Sequence, residues 1–160
     1  MIRVVITGLG IVSPFGRGKD AALAALHSAQ SGVRAITSIP TDALSCRIAG
    51  EVPFDDGAPR GHDRFTRFAL VAAEEAAAQA GELGEERDRI GVLIGTGLGG
   101  CETLDSSYRR LYAESARIPP MAIPMSMYNA ASSAVSAKLQ ARGLSYSVVS
   151  ACASSAPSTT

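Results

Sequence analysis

Apolar residues recur along this chain in two rhythms. At 64–80 the spacing is helical, with Phe65, Phe68, Ala69, Ala72, Ala76 and Ala80 on one face of a 3.6-residue repeat. Asp63 suits the N-cap of that helix and Gly81 the position just past its end. Three other runs, at 2–6, 90–94 and 146–149, are short, apolar and rich in β-branched residues, as strands buried on both faces are. Each runs into a turn of small residues: Thr7-Gly8-Leu9-Gly10, then Gly95-Thr96-Gly97-Leu98-Gly99-Gly100, then Ser150-Ala151-Cys152-Ala153-Ser154-Ser155. Further helices are expected at 20–29, capped by Asp20 with Gly32 past its end, at 102–116 before Pro119-Pro120, and at 129–140, ended by Gly143. A short strand is expected at 47–52, with a Pro/Gly/Asp loop after it. Strands alternating with helices make the expected class α/β and layered. There is no internal repeat and no low-complexity linker, and the length allows residues 1–160 to be one domain or one half of a larger one.

Composition refines this picture. The chain is 46% hydrophobic and 19% charged, too apolar for disorder. Its 160 residues include 27 alanines, 16 glycines and no tryptophan, so helices and sheet must pack closely through small side chains. Fifteen basic residues balance fifteen acidic ones, which excludes nucleic acid or an anionic membrane as a partner chosen by bulk charge. The uncharged stretch 118–137 holds Pro119, Pro120, Pro124, Asn129 and four serines, which argues against a spanning helix. The N-terminal apolar run is broken by Gly8, Gly10 and Pro14 and has no cleavage pattern, so it reads as a strand rather than a signal peptide. Three widely spaced cysteines, Cys46, Cys101 and Cys152, give neither a disulfide framework nor a CxxC site, and His27 and His62 complete no zinc spacing. A reducing, cytoplasmic setting with no metal and no cofactor is the expectation.

Two turns could carry chemistry. Gly95-x-Gly97-x-x-Gly100 satisfies the dinucleotide fingerprint in a strand–turn–helix context, where amides at a helix N-terminus would meet a pyrophosphate. The acidic ribose partner is missing, since Glu114 near the required offset falls inside an expected helix. The other reading is a tight turn that lets a helix pack on a sheet. Cys152 directly follows a strand among small residues, at the expected start of a helix, which is the layout of a nucleophile on a sharp turn. A helix dipole there would favour the thiolate, and the Cys152 amide could donate to an oxyanion. An ordinary buried cysteine is the alternative. Cys46 and Cys101 lack such a context, and His27 and His62 read as solvated side chains.

Four stretches resemble the β-ketoacyl-acyl carrier protein synthases, the elongating condensing enzymes of fatty acid and polyketide synthesis. They are Val4-Val5-Ile6-Thr7-Gly8-Leu9-Gly10-Ile11-Val12-Ser13-Pro14-Phe15-Gly16, Asp63-Arg64-Phe65-Thr66-Arg67-Phe68-Ala69-Leu70, Arg89-Ile90-Gly91-Val92-Leu93-Ile94-Gly95-Thr96-Gly97-Leu98-Gly99-Gly100, and Tyr146-Ser147-Val148-Val149-Ser150-Ala151-Cys152-Ala153-Ser154-Ser155-Ala156. In order and spacing they match the family's N-terminal half. The resemblance implies a thiolase-like α/β/α/β/α layered fold, of which this chain is the N-terminal half only, usually in a homodimer contacted near 129–140 and the strand before the cysteine. It implies that Cys152 accepts an acyl group from acyl carrier protein, and that a malonyl-carrier decarboxylates and attacks the thioester in a Claisen condensation. Leu104 would line the acyl pocket. No cofactor is implied. Inactive chain-length factors usually lack the cysteine, so Cys152 argues against that subclass.

The family also pairs its cysteine with two histidines and a second oxyanion-hole amide from its C-terminal half. Neither His27 nor His62 stands in a matching motif, and Pro157-Ser158-Thr159-Thr160 replaces the start of a long buried helix. The expectation is therefore a chain truncated just after the nucleophile, or one half of a split protein. Two functions stay open: a piece of a condensing acyltransferase, or a non-catalytic module that binds carrier protein or a synthase partner.

Overall fold

The computed structural model describes residues 3–53 and 61–156. They fall into two compact units. One holds the described residues up to 53 together with Val71–Ala80, and the other the described residues of Pro59–Leu70 and Gly81–Thr160.

In the first unit, β1 (Val12–Ser13) pairs antiparallel with β2 (Gly16–Arg17) around a turn at Pro14-Phe15. α1 (Lys19–His27) follows Gly18, which takes the capping position that the sequence suggested for Asp20; Asp20 lies inside the first turn instead. Ala29, at φ 50°, supplies the left-handed residue past the helix end, not Gly32. The strand expected at 47–52 shrinks to β4 (Ile48–Ala49), antiparallel to β3 (Arg34–Ala35). Most of the loop expected beyond it lies outside the described residues.

α2 (Arg64–Ala80) has the expected bounds, and Gly81 ends it at φ +84°. Its fully buried positions are Thr66, Leu70 and Val71 rather than the expected alanine face, which is half-buried. Two of those alanines serve a different purpose in the first unit. A Cβ added at Gly8 would lie 2.9 Å from the Ala76 carbonyl carbon, and one at Gly10 would lie 2.7 Å from that of Ala72. The first glycine turn thus lets two backbones touch.

The strand expected at 2–6 does not form over its described residues. Val4 is 93% and Ile6 83% exposed, and no strand among the described residues pairs with them. The segment after it is pinned by α2 side chains. Gln79 Oε1 accepts from Leu9 N–H at 2.7 Å, and the Glu75 carboxylate accepts from Ile11 N–H at 2.9 Å and Lys19 N–H at 2.8 Å. Those backbone donors hold the Glu75 carboxyl below the usual carboxylate range.

The second unit is built on one parallel pair, β5 (Val92–Gly95) and β6 (Ser145–Val148), in register from Val92↔Ser145 to Gly95↔Val148. The expected helix at 102–116 becomes α3 (Cys101–Tyr108) running into a π-helical turn at Arg109–Ala113. α4 (Ala122–Ser126) was not expected in so proline-rich a stretch. Pro124 is tolerated because its missing N–H falls in the first turn, where donors have no intrahelical acceptor. α5 (Ala130–Leu139) ends at Gln140, left-handed at φ 54°, and not at Gly143. Gly143 is needed for close approach, since its added Cβ would lie 2.9 Å from Asp88 O.

α5 lies on the sheet through Ala131 and Val135, both buried, and through two hydroxyl pairs. Ser136 Oγ and Ser145 Oγ are 2.9 Å apart, and Ser132 Oγ and Ser147 Oγ 3.3 Å. Residues four apart on a helix thus meet residues two apart on a strand. This fixes the strand that delivers the third turn.

Candidate active site

Beyond Val148 the chain bends sharply. Ala151 has φ 48°, a conformation that costs a non-glycine residue about 1–2 kcal/mol. A single 3₁₀ turn, Ala151–Ala153, follows. Cys152 sits in its middle with an exposed side chain, which removes the buried-cysteine reading. Among the described residues the turn spans three residues, too few for the helix dipole expected to act on the thiol. The turn is held instead by Ser154, only 3% exposed. Its Oγ accepts from Ser150 N–H at 2.8 Å and has two carbonyl acceptors for its own proton, Ala151 O at 2.7 Å and Thr96 O at 3.0 Å. Among the described residues the Cys152 amide meets no acceptor, so it is free to donate.

Thr96 opens the second glycine turn, and its amide donates to Val148 O at 3.1 Å. The two turns are therefore stitched together at the ends of β5 and β6. Gly95 makes this possible: an added Cβ there would lie 2.6 Å from the Ser154 carbonyl carbon and 2.9 Å from Ser155 N. Sequence reasoning marked the run of small residues but missed the work of Gly95, Thr96 and Ser154. The small size of Gly95, at a strand end, was the signal available.

The dinucleotide reading of Gly95–Gly100 fails on the same geometry. Three amides of the turn and the helix start are already engaged. Gly99 N–H donates to Thr96 Oγ1 at 3.2 Å, Gly100 N–H to Ser126 O at 3.2 Å, and Thr103 N–H to Asp63 Oδ2 at 2.7 Å. Asp63, 4% exposed, also caps α2 as expected, its Oδ1 accepting from Phe65 N–H at 3.2 Å. One acidic side chain thus caps two helices and occupies the place where an anion would bind.

The remaining candidates scatter. His27 and Cys46 are exposed in the first unit. His62 is exposed at the rim of a cavity of about 380 Å³ in the second unit, lined also by Thr66, Met121, Met125 and Asn129; neither Cys152 nor Leu104 lines it. Leu104 is half-buried on α3. Cys101 corrects an expectation: it is the first residue of α3 and exposed, so it does have a helix N-terminal setting, with its Sγ 3.7 Å from Leu98 O.

The model of the N-terminal domain of the beta-ketoacyl synthases matches residues 1–159, and the chain belongs to that family. Over 98% of its length it is 37% identical to a 3-oxoacyl-[acyl-carrier-protein] synthase 2 of Rhizobium meliloti (strain 1021), covering 41% of that protein. Over 95% it is 38% identical to a 3-oxoacyl-[acyl-carrier-protein] synthase 2 of Staphylococcus aureus (strain MRSA252), covering 39%. Among solved structures it is similar to a beta-ketoacyl synthase from Burkholderia phymatum STM815, with TM-score 0.72 and 25% identity over 98% of this chain and 41% of that one. The ishigamide ketosynthase/chain length factor gives TM-score 0.80 at 23% identity, over 91% of this chain and 39% of that one. A type II polyketide ketosynthase, solved in complex with its acyl-carrier protein, gives 0.76 at 23%, over 95% and 39%. The fold is thus that of the ketosynthases, and the chain spans about two-fifths of the length of these relatives. Among the described residues no helix is long and apolar enough to cross a membrane.

Proposed function

We propose that this chain carries the acyl-accepting cysteine of a 3-oxoacyl-[acyl carrier protein] synthase-type condensing enzyme. The observation that carries the reading is Cys152 itself, exposed at a strained turn in a chain whose family uses such a turn for its nucleophile. In the proposed reaction the Cys152 thiolate attacks the carbonyl carbon of a carrier-bound acyl thioester. The Cys152 amide donates to the oxyanion that forms. Collapse expels the carrier thiolate, which takes up a proton, and leaves the acyl group on Sγ. A malonyl-carrier then loses carbon dioxide. Its carbanion forms the new carbon–carbon bond at the Cys152 thioester, releasing the cysteine thiolate and a 3-oxoacyl-carrier.

Acyl carrier protein is the proposed partner, in keeping with the relatives' names and with the carrier-bound ketosynthase among the structural neighbours. A homodimer is proposed as well, in a five-layered α/β/α/β/α arrangement. Leu144, Tyr146 and Val149 support it, being 79%, 51% and 44% exposed around β6, where the family places its dimer contact.

Carbanion stabilisation needs groups that these 160 residues do not supply, since His27 and His62 are both exposed and neither stands in a matching motif. The expected behaviour of this chain is therefore one slow acylation at Cys152 without condensation. The test offers purified chain acyl- and malonyl-carrier protein, with peptide mass mapping for the adduct and an assay for carbon dioxide and 3-oxoacyl product. An acyl adduct at Cys152 that vanishes in Cys152→Ala supports the reading. A chain that binds carrier protein but takes no acyl group would make it a non-catalytic binding module.

A further inference from the structure

We infer that Ser154 is a positioning residue for the nucleophile, acting through the left-handed backbone of Ala151. The inference rests on the reading of Cys152 as acyl acceptor and adds the device that aims it. Ala151, immediately before the cysteine, has φ 48°, a conformation that alanine leaves readily unless its surroundings hold it. What surrounds it is Ser154. The hydroxyl receives Ser150 N–H on one side of Ala151 and has Ala151 O itself within 2.7 Å. Through Thr96 O, at 3.0 Å, it also reaches the end of the neighbouring strand. The backbone repeats the clamp, with Ala153 N–H on Ser150 O at 3.0 Å and Ser154 N–H on Ala151 O at 3.2 Å. Cys152 sits inside this loop and is held by its main chain, because its side chain is exposed. The direction of the Cα–Cβ bond that carries Sγ is thus set by residues 150, 151 and 154.

Chemistry that needs direction is separable here from chemistry that does not. Alkylation by a small reagent asks only that the thiol be reachable. Acyl transfer asks that Sγ approach the thioester carbonyl along one line while the Cys152 amide faces the oxygen, and an ångström of displacement at such a centre can cost about a hundredfold.

The experiment compares two rates at Cys152 in the full chain: alkylation by iodoacetamide, and acylation by a short-chain acyl N-acetylcysteamine thioester across a range of thioester concentrations. Ser154→Ala should leave alkylation within about twofold of wild type and lower the saturating acylation rate by about tenfold or more, with little change in the half-saturating concentration. Adding Ala151→Gly, which takes positive φ without strain, should restore most of the loss. Wild-type acylation in Ser154→Ala overturns the inference, and so does a loss that Ala151→Gly leaves untouched. If Ser154→Ala loses its helical circular dichroism, Ser154→Thr decides: retained acylation supports the hydroxyl's role and lost acylation overturns it. A wild-type chain that alkylates at Cys152 but never acylates removes the acyl-acceptor reading, and this inference with it; acylation equal in both chains removes this inference alone.

Discussion

Replacing Asp63 with alanine removes two helix caps at once. The side chain accepts from Phe65 N–H, at 3.2 Å, at the start of α2, and from Thr103 N–H, at 2.7 Å, at the start of α3. An N-cap lost to alanine typically costs about 1 kcal/mol. The Thr103 bond is shorter, part-buried and made to an acidic group, and such bonds contribute about 1.5–3 kcal/mol. Together the loss should be about 2.5–4 kcal/mol, a large share of the 5–15 kcal/mol or so that holds an ordinary domain together. Asparagine provides a sharper comparison. Its amide keeps one oxygen but turns an NH₂ toward the second donor, so Asp63→Asn should fall between wild type and alanine. Urea unfolding followed by circular dichroism reads the order. Amide hydrogen exchange locates it, with Phe65 and Thr103 both losing protection in Asp63→Ala. An alanine variant within about 0.5 kcal/mol of wild type, or with only one of the two amides affected, would refute the double cap.

Three further outcomes follow from particular contacts. Gly95→Ala should push Ser154 and Ser155 aside and slow acylation of Cys152 by about tenfold, whereas Gly97→Ala, whose added Cβ would come no nearer than 3.9 Å to Ala151 O, should leave the rate unchanged; equal effects would show that close approach at Gly95 does not matter. The Glu51 carboxyl, held down to about 2 by hydrogen bonds from Ser38 and Thr37, stabilises its loop fully above the ordinary carboxyl range and loses that contribution as pH falls from about 4.5 through about 2. The Thr37 and Ser38 amide resonances should therefore titrate with a midpoint near 2, and a midpoint near 4.5 would contradict the bonding. With Val4, Ile6, Leu98 and Leu144 all at least 70% exposed, the chain made alone should self-associate, and size-exclusion elution that stays monomeric and independent of concentration would count against this.

How much of this was legible in the sequence varies with the range of the interactions. α2 could be read to its last residue, because its periodicity, Asp63 and Gly81 act within a few positions of one another. β5 and β6 were placed to within two residues, since short apolar runs ending in small residues leave few choices. The residues that end the helices near 29 and 140 differ from the expected glycines. Ala29 and Gln140 take left-handed backbone that sequence rules reserve for glycine, while Gly32 and Gly143 are spent on contacts with distant segments. The strand at 2–6 failed for a related reason. A strand forms only beside a partner, and β-branched residues describe what a strand needs without showing that a partner is present.

The same distinction separates the proposed nucleophile from its support. The turn that holds Cys152 is legible because a cysteine among small residues after a strand is a local pattern. Ser154 was one more small residue in that run, and nothing in the run says which serine matters. Its role comes from Thr96, 58 positions away, and from Gly95, which lets the two turns touch. The parallel register brings Gly95 beside Val148, so the end of β5 is set next to the end of β6. The hydroxyl pairs between α5 and β6 hold the second of these strands against the helix. The second glycine turn, which imitated a nucleotide site, is therefore better understood as half of the cysteine's seat. Glycines at a strand end mark close approach of backbone, and only the partner in that approach tells a phosphate from a neighbouring turn. Here the partner is the turn that carries Cys152, so substitutions at Gly95 and Ser154 should act on the same acyl-transfer step and should not add.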